Sequence, residues 1–220
     1  GVKLFVLKNA LDPASKPVEL AYVRNLSTAL ISGDGNWVYA FVWDSRTPNV
    51  IDAEGEQKVT LYSHYENGAW TDTKYLEVDG EMKHWVVSDT NYDSTFLDCG
   101  KYVVERKGDV FSVKYTIEIP RTGGLIGPRI SEDGKTVLFK AIDELNYEYH
   151  IPEYHERRAD ALVLAVYEDE SSNVATNYIL DEGYYVHFAY SKLTENIVWT
   201  LYETNPYDTE VKDWNLRENQ

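Results

Sequence analysis

Cysteine is almost missing from this sequence: Cys99 stands alone. With one thiol the chain forms no internal disulfide, and a zinc site built on several thiolates is excluded. Methionine occurs once, at Met82, and glutamine only at Gln57 and Gln220. These are thermolabile types that many heat-adapted proteins use sparingly. Basic residues are also scarce, with 21 Lys and Arg against 37 Asp and Glu and a net charge of −16. Phosphate backbones need a basic face, so this balance argues against nucleic-acid binding and against docking on an anionic membrane. No apolar run approaches the ~20 residues of a membrane-spanning helix. No signal peptide is visible, and a secreted chain would have lost one before Gly1. There is no G-x-S-x-G elbow to carry a serine nucleophile. Gly33-Asp34-Gly35 lacks the following helix that a phosphate loop needs.

Aromatic residues are abundant, with 18 Tyr and six Trp, and they suit pleated, half-buried surfaces. Alternation of period two dominates. In Trp37–Trp43, Val38, Ala40 and Val42 alternate with large aromatics, which predicts a strand covered on both faces. Val59–His64 and Trp70–Val78 flank Glu66-Asn67-Gly68, and Asp79-Gly80 is the strongest short hairpin signal. Lys107-Gly108-Asp109 and Glu132-Asp133-Gly134 mark further turns. Leu162–Val166 reads equally as a buried strand or as part of a helix beginning near Glu153. Turn signals every 8–12 residues predict an all-β chain, an antiparallel β-sandwich of jelly-roll type. The division expected is an N-terminal strand and linker over 1–17 and a single sandwich domain over 18–220. Ser131-Glu132-Asp133-Gly134-Lys135 looks like the turn of a propeller blade. It occurs once in that form, and no internal repeat is evident, which argues against a propeller.

The best ligand constellation is Asp89-Thr90-Asn91-Tyr92-Asp93-Ser94-Thr95. Alternate oxygen-bearing side chains can curl towards one hard cation, so Asp89, Asn91 and Asp93, completed by Asp98, are the candidates for calcium. It is not an EF-hand, because Ser94 and Gly100 stand where that loop needs Gly and a bidentate Glu. The alternative is an acidic turn. Trp43, Trp70, Trp85, Tyr184, Tyr185 and Trp214 offer a stacking platform for sugars if they are exposed, and core packing if they are not. Glu118, an acid inside the apolar strand Tyr115–Ile119, raises glycoside hydrolysis as a minor reading.

The first residues carry the functional argument. Val2, Leu4 and Val6 fall on one face of an extended chain and Lys3, Phe5 and Leu7 on the other. An exposed edge strand normally carries charge or proline in its middle, and this one carries neither. Asp12–Pro17 follows as a stiff linker. Such a strand either ties into its own sheet or enters the groove of a neighbouring copy. The second arrangement resembles donor-strand extracellular filaments: pilins, archaeal bundling pili and the cannula tubes of hyperthermophiles. That resemblance implies a secreted, extracellular or cell-surface homopolymer of β-sandwich subunits, with calcium at subunit contacts. Val2, Leu4, Phe5, Val6 and Leu7 would then be the interface between copies. The alternative expectation is a carbohydrate-binding module of an exported protein, with polysaccharide as its partner.

Overall fold

The computed structural model describes residues 1–43, 58–83, 85–121, 123–142, 160–202 and 209–215. Every regular element among them is a strand, and the pairing is mostly antiparallel. The all-β expectation therefore holds. The chain divides into two compact units, one of Gly1–Gly100 with Val104–Val113, the other of Lys101–Val103 with Lys114–Gln220. Residues 1–17 belong to the first unit and do not stand apart from it.

In the first unit β1 (Val2–Val6) pairs with β2 (Val18–Val23), with a register shift between Leu4 and Phe5. Next come β3 (Asn25–Ile31), β4 (Trp37–Trp43) and β5 (Lys58–Glu66), in that order across one sheet. The short strands β6 (Ala69–Trp70) and β7 (Lys74–Tyr75) both pair with β5. Register explains why β4 is apolar on both faces. Ala40 opposes Leu61 and Val42 opposes Val59 on one face, while Trp37 opposes His64 and Tyr39 opposes Tyr62 on the other. The aliphatic face packs with Leu4, Val6, Ala21 and Val23 in one core cluster. Beyond it lie β8 (Asp89–Thr90) and β9 (Phe96–Cys99), followed by β10 (Tyr102–Lys107) and β11 (Val110–Ile117), which contribute residues to both units.

In the second unit β12 (Gly124–Ile130), β13 (Thr136–Ile142), β14 (Asp160–Val166) and β15 (Val174–Tyr190) form an antiparallel series. The later half of β15 pairs with β16 (Asn196–Tyr202), and β16 with β17 (Thr209–Asn215). Leu162–Val166 resolves as strand. It lies between β13 and β15, and a central strand buried on both faces shows no alternation to read. Glu153–Arg158, the start of the expected helix, lies outside the described residues. Leu138, Leu164, Val186, Ile197, Trp199 and Leu201 form this unit's core.

One turn recurs, against the expectation of a single copy. In Ser32–Trp37, Ser32 N–H donates to Trp37 O (2.9 Å) and Gly35 N–H to Ser32 O (2.8 Å). Asp34 Oδ1 accepts from Ser32 Oγ (2.6 Å) and Asn36 N–H (2.9 Å), and Ser32 Oγ accepts from Trp37 N–H (3.0 Å). Ser131–Thr136 repeats all of these bonds, with Asp133 in the place of Asp34 and Gly134 in that of Gly35. Asn91–Phe96 is a third copy. Asn91 N–H donates to Phe96 O (3.2 Å), Ser94 N–H to Asn91 O (3.3 Å) and Thr95 N–H to Asp93 Oδ1 (3.0 Å). The fourth residue is left-handed each time, at φ 67° for Gly35, 60° for Ser94 and 71° for Gly134. Ser191–Asn196 keeps the outer bond, Ser191 N–H to Asn196 O (2.9 Å), but Glu195 takes the left-handed position. The repeat was hidden because the geometry asks for an oxygen acceptor, a carboxylate and a left-handed residue, not for fixed identities.

Candidate functional site

The N-terminal strand is anchored in its own unit. Leu4 and Val6 are 8% and 7% exposed and join the first unit's core, which is worth about 1.5–3 kcal/mol for each side chain. Val2, Phe5 and Leu7 are exposed. Lys3 pairs with Glu19 at 2.6 Å. Lys8 donates to Gly35 O (3.1 Å) and Asn36 Oδ1 (2.6 Å), with its ammonium over the Tyr65 ring. Of the five residues expected at an interface between copies, two fill the core of the same chain. Strand donation would therefore require exchanging a strand that already has its complement.

Two of the four calcium candidates, Asn91 and Asp93, are drawn into the third turn. Asn91 Oδ1 accepts from Thr95 N–H (2.8 Å), and Asp93 Oδ1 accepts from the same amide (3.0 Å). Partial burial works to raise the Asp93 pKa. The hydrogen bonds from Thr95 and the charge of Arg106 outweigh it and hold the carboxyl below its ordinary value. Asp89 and Asp98 sit opposite each other across the β8–β9 ladder. Asp98 is fully buried and accepts from Gly100 N–H at 3.1 Å. Burial, with Asp98 alongside, pushes the Cys99 thiol well above its usual range. Among the described residues no three His, Cys, Asp or Glu side chains gather as metal ligands. Asn91 and Asp93 thus both serve the turn through Thr95 N–H.

Of the six residues of the expected aromatic platform, Trp43, Trp70 and Trp85 have described side chains. Trp85 is buried and donates to Glu81 O at 3.0 Å. Trp43 lies under the Lys58 ammonium, and Trp70 meets Tyr65 edge-on at 5.5 Å between centroids. The side chains of Tyr184, Tyr185 and Trp214 lie outside the described residues. Glu118 is exposed and lies just past the end of β11, not inside a strand.

A different aromatic set converges on the other face of β4 and β5. Trp37 stacks on His64 at 4.5 Å and on Tyr62 at 6.0 Å, and the Arg106 guanidinium lies 4.1 Å from the Trp37 ring centre. Arg106 is fixed there by donating to Asp93 O (3.0 Å) and Ser94 O (2.9 Å). Phe111 meets Tyr62 edge-on at 5.1 Å. The stack ends at a cup of about 380 Å³ lined by Tyr62, Lys74, Tyr75, Glu77, Asp109 and Phe111. Lys74 donates to Asp109 Oδ2 at 2.5 Å, and that hydrogen bond raises the pKa of the lysine. His64 lies between two carboxylates, with Nε2 3.3 Å from Glu66 Oε2 and Nδ1 3.8 Å from Asp109 Oδ1. Burial, then the Asp109 charge, pushes the Tyr62 phenol up. The cup thus has the largely buried Tyr62 and Phe111 rings in its lining beside exposed charged side chains. Sequence reasoning missed it because Tyr62, Tyr75 and Phe111 come from three separate strands. The one local signal was the Tyr62/His64 alternation.

No protein-family model matches the sequence, and no curated protein matches it. Solved structures share its fold. An oligogalacturonate lyase from Vibrio parahaemolyticus superposes with a TM-score of 0.51 at 10% identity, over 94% of this chain and 55% of that one. An acylaminoacyl peptidase from Pyrococcus horikoshii gives 0.50 at 10% identity, over 86% of this chain and 30% of that one. The chain thus spans well under two thirds of either enzyme. At this identity the likeness concerns the path of the backbone and not the chemistry.

Proposed function

We propose that this chain is a repeat-built all-β binding scaffold whose cup in the first unit takes a small neutral carbohydrate. The observation that carries the reading is the meeting of Tyr62, Tyr75 and Phe111 with Lys74, Glu77 and Asp109 in one open concavity. Aromatic faces take up the C–H side of a sugar ring, and fixed carboxylates and ammonium groups pair with its hydroxyls. The volume falls in the small-molecule range. Two carboxylates against one lysine disfavour an acidic sugar of the kind the lyase's name denotes. In finer architecture we read the turn-linked antiparallel sheets as blades of propeller type in preference to a jelly-roll sandwich. The support is the turn that recurs in both units. Scaffolds of this kind stack similar units and place their binding groups on loops and rims.

The test is calorimetric titration with neutral mono- and disaccharides. Saturable heat is expected, weakened about tenfold or more by Lys74→Ala, whose side chain is exposed and lines the cup, in a protein that stays folded by circular dichroism. No heat with any sugar up to about 20 mM would refute the reading. Self-association is the second reading. It is favoured by the exposed side chains of Phe5, Leu7, Val18 and Tyr22 on the β1–β2 pair.

A further inference from the structure

We infer that the outer edge of β1 pairs in place with the β1 of a second copy, making a closed two-fold dimer. Among the described residues β1 hydrogen-bonds with β2 alone, so its other edge presents an unshared row of backbone groups. Natural edge strands are guarded by charge, proline or a bulge. In β1 the only charge is Lys3, and Glu19 on β2 engages it at 2.6 Å. At the far end Lys8 is held by Gly35 O and Asn36. The shift at Leu4/Phe5 places the extra residue, Leu20, on β2, so β1 itself runs unbroken.

The occupant follows from the strand's own chemistry. Residues 1–11 carry no acid in a chain of net charge −16. Most other surface strands would therefore meet an unfamiliar partner as like-charged acids, and β1 would not. Paired antiparallel about Phe5, the strand is self-complementary. Phe5 faces Phe5 of the other copy, Leu4 faces Val6, and Lys3 faces Leu7. No two like charges oppose each other, and both faces continue the pattern already present in the β1–β2 pair. Phe5 is 51% exposed, and Leu7, Val18 and Tyr22 on the same pair are exposed as well. The two-fold arrangement would cover Phe5 and Leu7 while leaving Leu4 and Val6 in their own core. An interface of this isologous kind closes on itself, whereas strand donation runs head to tail and does not.

Sedimentation of the full chain between about 1 and 300 µM tests it. A concentration-dependent monomer–dimer equilibrium is expected. Phe5→Glu, which puts two carboxylates face to face across the two-fold axis, should weaken the dimer at least tenfold. Leu7→Glu serves as the second variant. Circular dichroism should not move for either; Phe5 opposes Glu19 in its own ladder, so Phe5→Glu should lower the thermal midpoint slightly, while the exposed Leu7→Glu should leave it unchanged. A monomer at every concentration overturns the inference, as does a dimer indifferent to both variants. Growth beyond the dimer overturns it in favour of open-ended donation.

Discussion

Two turns of the first unit, Ser32–Trp37 and Asn91–Phe96, have the same shape and different chemistry. The first uses Ser, Asp and Gly at positions one, three and four, and the second uses Asn, Asp and Ser. They also touch: Asp34 N–H donates to Tyr92 O at 2.7 Å, and a Cβ on Gly33 would lie 3.2 Å from Tyr92 Cα. The Tyr39 hydroxyl lies 2.7 Å from Ser94 Oγ, at the left-handed position of the second turn. The second unit has the same relation, since the buried Tyr115 hydroxyl donates to Gly134 O at 2.6 Å. The contrast shows which requirements are rigid. The acid at position three and the left-handed residue at position four are kept. The first oxygen and the side chain at position four are free to vary, provided a buried tyrosine finds a partner.

The comparison can be broken most sharply at Gly33. Gly33→Val drives a branched side chain into the Tyr92 backbone and should destabilise the first unit by about 3 kcal/mol, at the upper end for overpacking. Urea unfolding followed by tryptophan fluorescence measures this. Next is the left-handed position. A Cβ on Gly35 meets nothing within 4 Å, so Gly35→Ala isolates backbone strain and should cost about 1–2 kcal/mol. Ser94→Gly relieves the same strain but removes the partner of Tyr39, so the two effects should nearly cancel. A cost for Ser94→Gly as large as that for Gly35→Ala would end the claim that the positions are equivalent. Tyr39→Phe leaves Ser94 Oγ without its buried partner and should cost about 1 kcal/mol. Tyr115→Phe should match it.

The smallest effect concerns pH. The folded Asp93 carboxyl sits below its ordinary value of 3.8. Its contribution is therefore complete above that value and is lost as pH falls through the lower, folded one. Asp93→Asn keeps the oxygen acceptor and removes the titration. Its stability should decline less than that of the parent below about pH 4 when thermal midpoints are compared across an acid series.

Much of this could be read from the residues. The alternation in Trp37–Trp43 announced a strand covered on both faces, and Asp79-Gly80 announced its turn, because side-chain direction and turn preference are local properties. The Asn91–Asp93 cluster showed its oxygens but not their use. A hydrogen bond from the backbone N–H of Thr95 and a bond to calcium ask for the same atoms at the same spacing. The cup was invisible, since Tyr62, Tyr75 and Phe111 are far apart in the chain and approach one another only through the pairing of β5 and β7 and the packing of β11.

The N-terminal strand marks the boundary most clearly. By itself the sequence determined that Val2–Leu7 is extended, apolar on both faces and in need of cover, because the period of a strand and the cost of wet apolar surface are written into the order of residues. Only the tertiary structure decided where the cover comes from. Leu4 and Val6 found Val38, Ala40, Val42, Val59 and Leu61 in their own chain, while Phe5 and Leu7 were left facing outward. Hydrophobic burial has no direction, so the same strand would be satisfied by any complementary groove, and which groove is nearest is a property of the folded chain.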